Sequence, residues 1–382
     1  MMQHLSDEHT ALYSRILEGS AQILPNGLEQ HDGQEEFDKS AWDKCGALGL
    51  CGLTVPTMLG GSGLDPLSAV IAMEAFGRGC ADNGLGVSLG AHLWGCLTLL
   101  LAGDRARNVD IIRDLATGRK IGALAVSEPE AGSDLAAILT TAVAVDGGYR
   151  LEGRKCYVTN APVADVLVVL AETRPGNLAF GLSAFCLERG TPGLTTPAPV
   201  SKMGLRTASM GDVELDGCLV PKSARIGAEG AGLSLFLKVM EMERAFILAP
   251  AIGSMERVFE ATRHYAQNRK QFDQPIAEFE SVYGRLAEMY RRTSLARLVL
   301  RDAAARKGSG GSITLEASMA KLTISDAWVA NCQDALAIFA AKGYLSATGI
   351  ERELRDALGG QIYSGTSDIQ RRTIAKMLRV IS

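Results

Sequence analysis

A chain of 382 residues is long enough for two or three domains with large hydrophobic cores. Its 39 basic and 43 acidic side chains nearly cancel, to a formal net charge of -4, which supports neither a nucleic-acid nor an acidic-surface partner. Eight cysteines, scattered from Cys45 to Cys332 without short paired spacing, argue against a disulfide framework or a zinc site and fit a reducing, cytoplasmic setting.

The N-terminal segment MMQHLSDEHTALYS is too polar for a targeting sequence. The apolar run from Ala81 to Ala102 carries Asp82 and Asn83 and is broken by glycines, so no membrane span is expected. The five histidines, at 4, 9, 31, 92 and 264, form no HExxH-like array, and no metal is expected.

Taken in order, residues 1–120 read as helical. An acidic start precedes apolar residues at helical spacing in SDEHTALYSRILEGSAQIL. Ser40 is placed to cap a second helix carrying Trp42 and Leu48. A third helix runs from Pro66 to about Gly77, an apolar one from Gly84 to Leu101, and a short one ends near Gly118. His92 reads as a buried hydrogen-bonding residue. Leu93, Trp94 and Leu97 read in the first place as core, with the walls of an apolar pocket as the second reading.

Residues 121–227 change period. IGALA is a strand, the DGG and LEG segments look like hairpin turns, and ADVLVVLAE and LSAFCLERG are strand-like. Further short strands are expected in MGLRTASMGDVELDGCLVP, and GAEGAG links to the final region. Residues 228–382 are helical again, with a turn at GSGGS and two last helical pieces separated by a glycine-containing turn.

The stretch from Leu233 to Ile276 holds the chemistry-bearing pattern. Leu235, Val239, Met242 and Phe246 recur at helical spacing, as do Ile252, Met255 and Phe259. Glu243 and Arg244 lie inside that periodic run, with Arg263, Arg269 and Lys270 beyond it. A buried charge must be paired or used. From the residues alone, a catalytic pair and a solvated helix face both remain open.

Five motifs carry a resemblance along nearly the whole chain: SEPEAGSD at 127–134, GRKCYVTN at 153–160, RKQFDQPI at 269–276, RELRDA at 352–357 and IYSGTSDIQ at 362–370. In this order and spacing they resemble the flavin-dependent acyl-CoA dehydrogenase family. The resemblance implies an all-helical N-terminal domain, a middle β-barrel-like domain and a C-terminal four-helix bundle. It also implies FAD and a homotetramer or homodimer. The expected chemistry is removal of the proton α to a thioester carbonyl, with hydride leaving the β carbon for flavin N5.

In many family members the base is the glutamate before Gly-Thr in the C-terminal motif. Ser364 stands there instead, and a hydroxyl of high pKa cannot serve as that base. A subset resembling isovaleryl-CoA and long-chain dehydrogenases carries its base on the earlier helix, immediately before an arginine. Glu243 followed by Arg244 matches that placement, with Arg244 orienting or tuning the base. The competing reading is lost activity, with Glu243 kept as a structural ion pair.

The same resemblance implies cofactor contacts from Val126, Ser127 and Ser133, stacking by Tyr157, and flavin hydrogen bonds from Val158 and Thr159. Arg269 and Phe272 match residues that meet the pyrophosphate and adenine half from a neighbouring subunit, and Thr366 and Asp368 flank the cofactor. One departure is ALAIFAAKGY, where Ala337, Ala340 and Ala341 replace a glutamine and paired glycines. Their methyl groups are expected to restrict approach of the dinucleotide.

The segments GRGCADNGLGVSLGAHLWGC and TNAPVADVLVVLAET, with YSGTSDIQ, resemble enzymes of secondary metabolism that oxidise carrier-protein thioesters, prolyl-carrier-protein dehydrogenases among them. The expected substrate is an acyl or aminoacyl thioester on a carrier protein, with an ordinary short- or branched-chain acyl-CoA as the alternative. The electron acceptor is an electron-transfer flavoprotein or O2. A flavin monooxygenase and a noncatalytic flavin-binding scaffold are the readings of a different class.

Overall fold

A computed structural model describes residues 5–24, 26–103, 105–176 and 178–381. The N-terminal region contains α1 (Asp7–Ser20), α2 (Leu28–Gln34), α3 (Lys39–Ala47), α4 (Pro66–Gly79), α5 (Asn83–Leu101) and α6 (Arg105–Ala116). Carboxylate caps set several of these starts. The side chains of Asp65 and Asp82 accept backbone N–H groups at the head of α4 and α5. In α3 that role falls to Asp38, whose carboxylate accepts Ala41 N–H at 3.0 Å, and not to Ser40. Ser40 already lies inside the first turn, whereas Asp38 has the extended backbone a cap needs.

The middle region comprises β1 (Gly122–Ala125), β2 (Thr141–Val145), β3 (Gly148–Thr159), β4 (Val166–Glu172), a single helical turn α7 (Leu178–Gly181), β5 (Leu182–Glu188), β6 (Leu194–Thr195), β7 (Met210–Pro221) and β8 (Arg225–Ile226). They form one sheet in the order β6-β7-β3-β2-β4-β5-β8, with β1 parallel to β4 off this path. Strand β4 is apolar from Val166 to Ala171 because both its faces are covered. Leu167, Val169 and Ala171 join the core inside the curled sheet, while Val166, Val168 and Leu170 pack with Cys96, Leu99 and Ile112.

Asp146-Gly147 makes the expected two-residue hairpin turn between β2 and β3, with Gly147 at φ 77°. The LEG segment is not a turn. Strand β3 continues through it, and Glu152 faces the two residues Asp216 and Gly217 of β7 across a bulge. Gly217, at φ 58°, takes the left-handed conformation that this bulge requires. For the same reason, the short strands expected before Pro221 are one twelve-residue strand.

The C-terminal region contains α8 (Gly232–Phe246), α9 (Ala249–Asn268), the two-residue strands β9 (Lys270–Gln271) and β10 (Gln274–Pro275), and helices α10 (Glu280–Gly308), α11 (Thr314–Phe339), α12 (Ile350–Gly359) and α13 (Ser367–Met377). Helices α9, α10 and α11 pack on one another, and α8, α12 and α13 pack on α11. Helix α4 lies against α9 and α10, so the two helical regions share one core, holding Trp42, Phe76 and Leu89 with Val239, Ile252 and Trp328. Helix α5 is the one described helix long and apolar enough to cross a membrane. Some 78% of its apolar window is buried between neighbours.

His92 ties α5 to the sheet. Its Nδ1 accepts Gly122 N–H at 2.9 Å, so the proton sits on Nε2, which donates to the carbonyls of Leu115 (3.0 Å) and Cys51 (3.2 Å). Burial drives its pKa down from 6.5 to about 4. The neutral ring's contribution is therefore complete above pH 6.5 and is lost as the pH falls toward 4, by about 3 kcal/mol at most. His92→Gln keeps a donor and an acceptor without titrating. Its denaturant midpoint should depend less on pH across that window than wild type, and an unchanged dependence would remove this role.

Candidate active site

A cavity of about 630 Å³ opens where α5, α8, the ends of β1 and β3, and the turn before α13 converge. Helix α8 explains its apolar wall and its charge together. Phe236, Met240, Glu243 and Ile247 fall on one face at helical spacing and line the cavity, while Val239 and Phe246 point into the shared core. Glu243 therefore faces a cavity. It is not on a solvated surface.

The Glu243 carboxylate accepts a hydrogen bond from the Ser364 hydroxyl, Oγ to Oε1, at 2.7 Å. Enclosure by protein raises its pKa above the ordinary carboxylate value, opposed by the Ser364 bond and by the charge of Arg244. Arg244 also lines the cavity, and its Nε is buried without a hydrogen-bond partner among the described residues. No ion pair joins it to Glu243 among the described residues, so its influence on the carboxylate is through space.

The facing wall is built from β1 and β3. A second bulge sets Cys156 and Tyr157 of β3 against the single residue Asp212 of β7, with Tyr157 at φ 57°. The bulge turns Tyr157, Val158 and Thr159 along the cavity, beside Val126, Ser127 and Ser133. Behind this wall lies a buried ion pair, Lys155 Nζ to Glu128 Oε1 at 2.7 Å, with side chains 0% and 5% exposed. Lys155 also donates to Val126 O at 3.1 Å, and Glu128 accepts the N–H groups of Leu139 and Thr140. The pair clamps the two cavity-facing segments together.

Residues 6–119, 123–218 and 230–379 match, in turn, the N-terminal, middle and C-terminal domains of acyl-CoA dehydrogenase. The chain belongs to the acyl-CoA dehydrogenase family. Among its relatives is the L-prolyl-(peptidyl-carrier protein) dehydrogenase of Pseudomonas fluorescens, 41% identical over 98% of this chain and 97% of that one. The corresponding enzyme of a Serratia species is 34% identical over 98% and 97%. Among solved structures, the prolyl acyl carrier protein oxidase AnaB superposes with a TM-score of 0.96 at 41% identity, covering 98% of this chain and 100% of its own. PigA, solved with FAD and proline, gives 0.96 at 34% identity, with each chain fully covered.

The cavity of this acyl-CoA dehydrogenase suits the family cofactor. Trp94, Leu124 and Val158 provide apolar walls, Ser127, Ser133 and Thr366 add hydroxyls, and Trp94 Nε1 and Arg244 Nε are buried donors without protein acceptors among the described residues. Such a lining suits a flat ring system with acceptor atoms at its edge, and the isoalloxazine ring of FAD is one. The protein is an FAD-dependent oxidoreductase. The residues that would hold the ring are Val126, Ser127, Ser133, Tyr157, Val158 and Thr159, and the bound cofactor supplies hydride acceptance.

Other residues singled out in the sequence lie elsewhere. Arg269 and Phe272 sit outside the cavity at the β9–β10 hairpin, and Phe272 is 89% exposed at φ 51°. Asp368 is also exposed and pairs with Arg371 at 2.8 Å, whereas Thr366 lines the cavity and caps α13. Ala340 holds φ 52°, ψ -132°, a conformation suited to the glycine it replaces.

Several lining residues had no assigned role in the sequence. The loop Lys202–Leu205 forms one rim, held by α12: Arg355 donates to Met203 O at 2.8 Å, and Asp356 accepts Leu205 N–H at 2.5 Å. The RELRDA landmark was the available signal for both. Trp94 proves to be a buried residue and a cavity wall at once, while Leu97 is core.

Proposed function

We propose that this enzyme dehydrogenates a prolyl thioester tethered to a carrier protein, with Glu243 as the base. The observation that carries this reading is a carboxylate on α8, facing the cavity and bonded to the very residue that replaces the C-terminal glutamate. Ionised Glu243 takes the proton α to the thioester carbonyl, leaving the electron pair to delocalise into that carbonyl. Arg244 favours the ionised form. Phe236, Met240 and Leu124 offer apolar surface for ring methylenes. The substrates named for the Pseudomonas and Serratia relatives, and the proline in the PigA structure, support the prolyl group and the carrier.

A second copy of the chain is proposed to complete the cofactor site, in a homodimer or homotetramer. Support comes from exposed Arg269 and Phe272, whose family counterparts act across a subunit boundary. Either O2 or an electron-transfer flavoprotein is proposed to reoxidise the enzyme.

The test is anaerobic bleaching of the holoenzyme's flavin by prolyl, butyryl and longer acyl groups, each on CoA and on a carrier protein. Bleaching by prolyl-carrier protein and by no other is the expected result. Equal bleaching by acyl-CoA would move the substrate to ordinary acyl-CoA oxidation, and bleaching by none would overturn the reading.

A further inference from the structure

Ser364 occupies the position from which many family members present their base, and its loss of a carboxylate has a counterpart. Its hydroxyl donates to Glu243 Oε1 at 2.7 Å across 121 residues of sequence. The turn that presents it is tightly held. Buried Gln370 donates through Nε2 to the carbonyls of Ser364 (3.2 Å) and Gly365 (2.9 Å), and Ser367 N–H bonds Gln361 O at 3.0 Å. Ser364 sits at φ 55°, a conformation that a residue with a Cβ keeps only when its surroundings impose it. A serine held there by its successor helix, with its hydroxyl on the one carboxylate that lines the cavity among the described residues, is a built contact.

Building on the assignment of Glu243 as base, we propose that Ser364 is its positioning residue, occupying Oε1 so that Oε2 is left to receive the substrate proton. In that step the substrate Cα–H bond breaks, its electron pair moves toward the thioester carbonyl, and an O–H bond forms on Oε2. A donor to the ionised carboxylate stabilises that form, so the hydroxyl keeps the base ready at lower pH. The other charged groups lining the cavity, among the described residues, are Arg244 on its own helix, Lys202 on the rim loop and Arg355 on α12, and Lys321 on α11 acts on Arg244. Lys321 is buried without a hydrogen-bond partner among the described residues, and burial lowers it to about 8. Glu241, on α8, is engaged by Lys307 of α10 and by Ser312 and does not reach the cavity.

Two variants separate positioning from folding. Ser364→Ala removes the hydroxyl and keeps the Cβ, whereas Ser364→Gly removes it and also relaxes the backbone at positive φ. Flavin reduction by the substrate that bleaches wild type is followed by stopped flow across pH, with Glu243→Gln alongside. In both serine variants the acid limb should move up by about one pH unit, and the maximal rate should fall about tenfold with little change in KM. Loss in Glu243→Gln together with wild-type pH profiles in both serine variants overturns the positioning role alone. Full reduction in Glu243→Gln instead removes the base assignment, and the role of Ser364 with it.

Discussion

Glu243→Gln should leave FAD bound and slow flavin reduction by the true substrate by about 100- to 10,000-fold, the usual contribution of a positioned general base. The substitution is nearly isosteric. Its amide oxygen can still accept the Ser364 hydroxyl, so the α8 wall and its contact with the turn before α13 are kept. What disappears is a lone pair basic enough to hold a proton. The raised pKa of Glu243 adds a sign to the expected profile: proton acceptance requires the ionised form, so the wild-type rate rises with pH through that pKa. Single-turnover reduction of variant and wild type, each with its flavin content measured, reads both effects. Undiminished reduction in the flavin-replete variant would falsify the assignment.

Lys155→Met should cost about 3–5 kcal/mol of stability, the range for removing one partner of a buried ion pair. Lys155 is fully enclosed, and without it the Glu128 carboxylate, 5% exposed, is left among the described residues with the donors of Leu139 and Thr140. Burial pushes the Glu128 carboxyl up, but Lys155 and those donors outweigh it and hold its pKa below the ordinary value. That contribution is present above the unfolded pKa and is lost as the pH falls through the folded one. Because the pair joins Val126 to the bulged end of β3, the variant should also retain less FAD. Adding Glu128→Gln removes the stranded charge and should recover much of the loss. Denaturant unfolding of the two single variants and the double variant gives the coupling, and simple additivity would show that the pair acts as two independent residues.

How much of this site was legible depended on the range of the interactions involved. The period of 3.6 residues around Glu243 and the order helical, sheet, helical are local, repeated signals. They survive in a single sequence because each turn restates them. The five motifs belong to the same class, since each is a contiguous string. Local strings also misled. LEG carries a turn composition, yet β7 lies alongside and turns it into a bulge within a continuous strand. Ser40 is a good cap residue, yet Asp38 two positions earlier has the extended backbone that capping requires.

The sequence by itself therefore determined the family, the three-part organisation and the helix that bears Glu243. Tertiary structure alone decided that Glu243 faces a cavity, that Ser364 bonds it across 121 residues, and that Lys155 and Glu128 pair behind the cavity wall. Periodicity specifies which face of a helix is apolar. It does not specify which distant donor will meet a charge on that face, because that pairing exists only once the cores have closed and excluded water from around it.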